Sequence, residues 1–185
     1  SSIGIEVAHD EEKVKEAIED AIKYDDKILV EEIIPNMTEL NCSVLGSNSY
    51  AEASVIEQVM GHDEILSFKD KYIGNGAKKG SAKKNAPSKG MASASRIIPA
   101  NIPEKLTKEI EETSKKAFKV LGASGVVRID YLYDKKSKKY YVNELNTIPG
   151  SLAFYLWTPL NKEYDELLDD MINIAVKRYK KKLKK

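Results

Sequence analysis

The sequence predicts an α+β protein with mostly antiparallel strands, and three observations carry the prediction. Residues 128–150 read as a β-hairpin, two arms rich in aromatic and β-branched residues around a polar, lysine-rich turn at 134–139. Residues 39–46 and 50–58 are two further strands, with turn chemistry at Gly46, Ser47 and Asn48 between them. Three other segments, starting near Asp10, Pro103 and Tyr164, place apolar residues at helical spacing.

Taken in order, residues 1–7 are short, small and apolar-alternating. Asp10 is placed to cap a helix whose apolar positions are Val14, Ala17, Ile18, Ala21 and Ile22, with Glu11 and Glu12 in the first turn where the dipole favours acids. That helix is expected to pack on a sheet made of strands at 27–34, 39–46 and 50–58, with a turn at Pro35 and Asn36. Between residues 61 and 99 the pattern turns small, polar and basic and is interrupted by Gly74, Gly76, Gly80 and Gly90, which reads as a lid or a disordered loop. Strand character returns at 95–100. Pro103 opens a helix with a buried stripe of Leu106, Ile110, Ala117, Phe118 and Leu121, and Gly122 ends it. Gly125, Val126 and Val127 suit an interior strand that leads into the hairpin. After Pro149 and Gly150 comes an apolar stretch to Trp157, and then a final helix carrying Leu167, Leu168, Met171, Ile172, Ala175 and Val176 toward the core.

Composition narrows the function. An apolar content of 42% with mixed charge describes a globular chain, and 185 residues suffice for one domain or two small ones. A net charge of +1 asks for no nucleic acid, although basic residues cluster at 78–84 and beyond Lys177. A single cysteine, Cys42, excludes an intramolecular disulfide framework, and two histidines leave no zinc-ligand cluster. No apolar run reaches membrane-span length and no signal peptide opens the chain, so a reducing, cytoplasmic setting is expected. The chain starts at Ser1 without methionine, from which an excised fragment is expected.

The hairpin gathers charge of both signs. Side chains alternate along a strand, so Arg128 and Asp130 share a face on the first arm, as do Glu144 and Asn146 on the second. A turn of three or five residues keeps that parity and makes Asp130 and Glu144 cross-strand neighbours. Two carboxylates at that range repel, so something positive must sit between them. Two carboxylates with an amide oxygen suit a hard divalent cation such as Mg²⁺, completed by phosphate and water. Arg128, one step along, would neutralise charge developing on oxygen. A solvated sheet face laced with ion pairs is the other reading.

Arg128-x-Asp130, then Asn143-Glu144-Leu145-Asn146-Thr147 and Pro149-Gly150, resemble the C-terminal signature of the ATP-grasp ligases, in particular the D-alanine–D-alanine ligase family. The resemblance covers most of the chain. It implies an ATP-grasp fold, two α+β subdomains with mostly antiparallel sheets sandwiching the nucleotide, here a partial central subdomain at 1–69 and a C-terminal one at 70–185. It implies two Mg²⁺ or Mn²⁺ ions on Asp130, Glu144 and Asn146, with Arg128 assisting catalysis. Ser1 and Ser2 are similar to the family's loop over the ATP phosphates, with Ser2 near the chemistry. Val30-Glu31-Glu32-Ile33-Ile34 resembles the adenine hinge, so Glu31, Glu32 and Ile34 would meet the base, with Glu32 standing where a lysine is usual. Glu39 matches the ribose position. Phe68-Lys69-Asp70-Lys71-Tyr72 is similar to a segment in which Lys71 would contact phosphate and Tyr72 close the lid. Gly150, Ser151, Tyr155 and Leu156 fall where the second substrate binds, with Tyr155 near an expected serine.

What the resemblance implies is a cytoplasmic enzyme that phosphorylates the carboxylate of one D-alanine with ATP and lets the amine of a second attack, for peptidoglycan synthesis. Its N-terminal domain and upstream lysines have no counterpart here, so the fragment alone is expected to be inactive. The full-length enzyme could be a homodimer. No nucleic acid or membrane partner is expected. Ligation of other amino or hydroxy acids, or a noncatalytic nucleotide-binding module, are the alternatives.

Overall fold

The structure, a computed structural model, describes residues 4–34, 37–60 and 95–184. Ser1, Ser2, Lys71, Tyr72, Lys78, Lys79, Lys83 and Lys84, the turn at Pro35 and Asn36, and the boundary expected after residue 69 lie outside the described residues. The described residues fall into two compact units, one within 4–34 and the other made of 37–60 and 95–184.

In the first unit, helix α1 spans Glu11–Ala21. Asp10 caps it as expected, its extended backbone letting the carboxylate accept from the Lys13 amide at 2.8 Å. The helix buries none of its residues, and Ile22, expected on its apolar face, is the 57% exposed C-cap. The strand expected at 27–34 is absent, since those residues lie in no helix or strand. Leu29 and Val30 are 79% and 68% exposed. The run has no alternation that would give one face to a core, so nothing fixes it in a ladder.

The second unit is α+β. Five strands, β1 Met37–Ser47, β2 Tyr50–Met60, β3 Ser95–Ile97, β4 Gly125–Asp134 and β5 Lys139–Asn146, form one antiparallel sheet in the order β3-β2-β1-β4-β5. β1 and β2 close through Asn48 and Ser49, with Ser47 opposite Tyr50. Gly46 is required just before that turn, because a Cβ there would sit 2.3 Å from the Tyr50 carbonyl oxygen. β3 takes only part of the stretch expected at 95–100.

One face of the sheet is apolar. Leu40, Cys42 and Val44 of β1, Ile56 of β2, and Val127, Ile129 and Tyr131 of β4 pack under helix α2, Glu104–Val120, through Leu106, Ile110 and Phe118. Ser114 also lies in that helix's buried stripe, because its hydroxyl pairs with the Tyr131 hydroxyl at 2.6 Å. Leu121, expected in the stripe, is 65% exposed. It is the C-cap, and Gly122 at φ +63° turns the chain away before that position can reach the sheet.

Helix α3, Tyr164–Leu183, packs on the opposite face near one end of β1 and β4. Its buried residues are Leu167 and Ile174, with Met171 beside them, against Leu45, Val126 and Trp157. Ile172 and Val176, expected to be buried, are 60% and 43% exposed, and Ala175 is exposed too. The spacing 167, 171, 174 fills the one stripe that faces the sheet, and the other apolar positions fall outside it.

Candidate functional site

The rest of that second face is polar, and strand parity explains why. Glu39, Asn41 and Ser43 of β1 alternate with the core residues Leu40, Cys42 and Val44, so all three point away from α2. Register extends the row across the sheet: Asn41 lies opposite Glu57 of β2 and Asp130 of β4, Ser43 opposite Arg128, and Val59 opposite Arg96 of β3.

The hairpin reaches the expected pairing by an unexpected route. Asp134 pairs with Lys139, which leaves a turn of four residues, 135–138, rather than three or five. The turn is held by the Lys136 amide donating to Asp134 Oδ1 at 2.8 Å, with Lys138 at φ +57°. A four-residue turn pairs Tyr131 with Val142, and a regular ladder would then set Asn143 opposite Asp130 and send Glu144 to the other face. A β-bulge between Asp130 and Tyr131 absorbs one residue of β5 and brings Glu144 opposite Asp130, and Asn146 opposite Arg128.

Arg128 supplies the positive charge beside Asp130, and the neutral Asn146 amide bridges the two carboxylates. Arg128 makes a forked contact with Asp130, Nε to Oδ1 and Nη2 to Oδ2, both at 2.7 Å. Asn146 Nδ2 donates to Asp130 Oδ2 at 2.9 Å and to Glu144 Oε1 at 3.1 Å. The amide oxygen could not occupy that place, since it would meet two carboxylate oxygens at those distances. Burial alone would lower the pKa of Arg128, but its hydrogen bond and charge interaction with Asp130 more than offset this and leave it raised.

Whether a divalent ion suits this set follows from the donors. Asp130 and Glu144 offer hard carboxylate oxygens on neighbouring strands, and the donors now facing them are the kind a cation replaces. Asn146 would have to turn its amide to present oxygen. Among the described residues no group of three or more His, Cys, Asp and Glu is arranged around a metal position, so the fit rests on two acids and the amide.

A second cluster adjoins the first on the same face, and sequence reasoning missed most of it. Glu57 is 1% exposed. Its Oε2 accepts from Asn41 Nδ2 at 3.2 Å and from the Tyr155 hydroxyl at 3.0 Å. Its Oε1 faces Arg96 Nε at 3.2 Å, an ion pair without hydrogen-bond alignment. The Arg96 guanidinium lies over the Tyr155 ring, 5.3 Å from its centroid. Burial pushes the Tyr155 phenol up to about 12, with the Glu57 charge adding to it. Arg128 and Tyr155 also lie near enough to shift each other electrostatically. The readable signal was the alternation Glu39, Asn41, Ser43, whereas Glu57 sits in the run Val55-Ile56-Glu57-Gln58-Val59 with no alternation to mark it.

Tyr155 is carried by a loop of unusual backbone. Leu152 and Ala153 are consecutive non-glycine residues at φ +53° and +51°, and short 3-10 turns follow at Phe154–Leu156 and Thr158–Leu160. Leu156 and Trp157 anchor it at 0% and 1% exposure, and Trp157 Nε1 donates to Ser43 Oγ at 3.1 Å. With its side chain buried, Leu156 has only backbone to offer a substrate. Gly150 lies where an added Cβ would meet nothing within 4 Å, and Ser151 is half-buried beside it. Glu39 shares the polar face and is half-buried. Glu31, Glu32 and Ile34 belong to the first unit, where the two acids are exposed and Ile34 is half-buried.

Comparison with known proteins adds to this geometry. The family description "D-ala D-ala ligase C-terminus" matches residues 1–173. A D-alanine–D-alanine ligase of Acetivibrio thermocellus is 38% identical over 189 aligned residues, covering 100% of this chain and 45% of that protein. The ligase of Thermosipho melanesiensis is 37% identical, covering 98% of this chain and 45% of its own length. Among solved structures, the D-alanine–D-alanine ligase of Coxiella burnetii and the VanG D-Ala:D-Ser ligase of Enterococcus faecalis each superpose with a TM-score of 0.72 at 26% identity. They match 96% and 94% of this chain, and 42% and 46% of theirs. The chain thus spans about half the length of the relatives it matches. With a family match over nearly all of its residues, the chain belongs to the D-alanine–D-alanine ligase family and corresponds to its C-terminal part.

Proposed function

We propose that this chain is the nucleotide- and metal-binding part of a cytoplasmic ATP-dependent ligase that joins two D-alanines for peptidoglycan synthesis. The observation that supports the reading best is the convergence of Arg128, Asp130, Glu144 and Asn146 on one sheet face in a chain of this family. Asp130, Glu144 and Asn146 would hold Mg²⁺ or Mn²⁺, two ions in all, whose chemistry is to neutralise the triphosphate during phosphoryl transfer.

The residues' own parts follow from their chemistry. Phosphoryl transfer depends on positioning and charge neutralisation more than on covalent help from the protein. Arg128, one pair along the same sheet face, would be released by a cation on Asp130 to stabilise negative oxygen as the amine attacks the acyl phosphate. Ser1, Ser2 and Lys71 are proposed to contact phosphate, Tyr72 to close the lid, and Glu31, Glu32 and Ile34 to meet adenine. Glu39 would take the ribose, and Gly150, Ser151, Tyr155 and Leu156 would line the second substrate's place. Subdomains at 1–69 and 70–185, completed by an N-terminal domain of the same enzyme and possible pairing as a homodimer, belong to the same proposal.

Amino-acid-dependent ADP release by the full-length protein, with Mg²⁺ and a panel of D- and L-amino acids, tests the reading. Turnover with D-alanine that falls by at least about 100-fold in Asp130→Asn supports it. Turnover confined to L-amino acids would point to another ATP-grasp ligase, and ATP binding indifferent to Mg²⁺ would point to a noncatalytic module.

A further inference from the structure

Helix α3 outruns the sheet that anchors it. Its last buried residue is Ile174, and every position from Ala175 to Leu183 is exposed. At about 1.5 Å per residue those positions carry the helix roughly 13 Å past its last anchor. Tertiary packing therefore gives these turns little, and propensity alone holds a short helix weakly in water. Charge opposes them further, since Lys177 and Lys181, Arg178 and Lys182, and Lys180 and Lys184 are like-charged neighbours at i+4, with no acid among them.

The exposed turns are nevertheless sorted by side-chain type. No membrane partner is expected from a sequence reading that places Ile172 and Val176 in the core, but in the structure Ile172, Val176, Tyr179 and Leu183 are 60%, 43%, 63% and 68% exposed. Spacings of four, three and four residues, at about 100° per residue, set these four within an arc of about 60°, on a side of the helix about 140° from Leu167, Met171 and Ile174. Lys180 and Lys182 stand about 80° to either side of that stripe, and the other bases lie behind it.

An apolar stripe with long basic side chains on both flanks fits a plane: the stripe enters it, and the lysine stems reach back to negative groups at its surface. Nucleic acid offers phosphate but no apolar layer for Ile172 and Leu183 to enter. A second copy docked through the stripe would bury a few turns of one helix, well short of the about 800 Å² a side that stable complexes bury. We propose that the C-terminal turns of α3 dock on an anionic lipid surface, with Ile172, Val176, Tyr179 and Leu183 at the boundary between headgroups and acyl chains and the surrounding lysines on the headgroups. Among the described residues no helix is long and apolar enough to cross a membrane, and α3 lies along the surface rather than through it. The family match ends at residue 173, before Val176, Tyr179, Leu183 and all of these bases, and the proposal does not rest on the ligase reading.

The test is cosedimentation of the full-length protein with vesicles of phosphatidylcholine alone, or with about one part in three phosphatidylglycerol. Partitioning onto the anionic vesicles should be at least about tenfold stronger, and should fall at least about fivefold between about 0.1 M and about 0.5 M NaCl. Tyr179→Ser with Leu183→Ser should weaken it at least about tenfold, and Lys180→Gln with Lys182→Gln at least about fivefold. All four positions are exposed, so thermal midpoints should stay within about 2 °C of the unsubstituted protein.

Absence of sedimentation with anionic vesicles overturns the proposal, and so does sedimentation indifferent to the serine substitutions, which would leave bare charge attraction. Equal partitioning onto neutral vesicles overturns the role of the lysines. Self-association that the serine substitutions abolish, without vesicle binding, would give the stripe to a second copy instead. Vesicle binding as expected in a protein that shows no amino-acid-dependent ADP release would remove the ligase reading and keep this one.

Discussion

Replacing Arg128 with methionine should destabilise the chain and, in the same stroke, make it responsive to divalent cations. The side chains of Arg128 and Asp130 are only 16% and 4% exposed. Two unit charges about 4 Å apart attract by about 4 kcal/mol at an effective dielectric of about 20. Desolvation takes back part of that, but removing one partner leaves the other buried charge uncompensated, at a cost of about 3 kcal/mol or more. Arg128→Met should therefore lower the unfolding free energy by about 2–4 kcal/mol without metal. Asp130 and Glu144 then face each other across the Asn146 amide without the guanidinium, so Mg²⁺ or Mn²⁺ should recover about 2–3 kcal/mol at a hundredfold excess over its dissociation constant. The unsubstituted chain should gain less, because a cation must first displace the guanidinium. Urea unfolding followed by fluorescence measures this directly, since Trp157 is the only tryptophan and is buried beside the same sheet. A loss under about 1 kcal/mol, or equal stabilisation of both proteins by Mg²⁺, would refute the view that Arg128 occupies the place of a cation.

Two further perturbations test the frame around the site. Gly46→Ala should cost about 2 kcal/mol or more, because its Cβ would lie 2.3 Å from the Tyr50 carbonyl, whereas Ala153→Gly at φ +51° should be neutral or stabilise by up to about 1 kcal/mol. Thermal midpoints of the two variants check the pair. Stability should also depend on alkaline pH. Burial raises Cys42 from 9.0 and Tyr155 from 10.0, each to about 12, and raises Tyr131 as well. These groups hold their protons more tightly folded than unfolded, so their contribution is complete below pH 9.0 and is lost as pH rises through about 12. Urea midpoints over that range should fall steadily, and a flat profile would show that the three groups are not buried as described.

The elements best read from sequence are those whose residues agree at every level. The hairpin arms, Asp10 as a cap, Gly122 as a stop and the β1–β2 turn all follow from local chemistry that tertiary structure reinforces. The face shared by Asp130 and Glu144 was readable too, although the route was not: a four-residue turn and a bulge reproduce the parity expected of three or five residues. Neither leaves a mark in the pattern, and the bulge shows only in the register, which sets Tyr140 opposite Tyr133 and, one residue out of step, Leu145 opposite Ile129, both packed against the core. The segment 27–34 looked like a strand from its apolar content alone and had no alternation to support it. Arg96 and Glu57 were invisible for another reason. Their partnership joins β3 to β2 and is completed by Tyr155, 98 residues from Glu57.

The bulge opposite Asp130, and not the length of the lysine loop, decides where the acid of the second arm ends up. A residue gained or lost at 135–138 that the turn absorbs leaves Asp134 paired with Lys139 and Glu144 on its own side of the ribbon. Ironing the extra residue of the second arm back into the ladder does not, since it would set Asn143 opposite Asp130 and send the acid to the α2 side. Loop length should therefore vary freely among relatives, whereas the kink should persist wherever the strand keeps its extra residue.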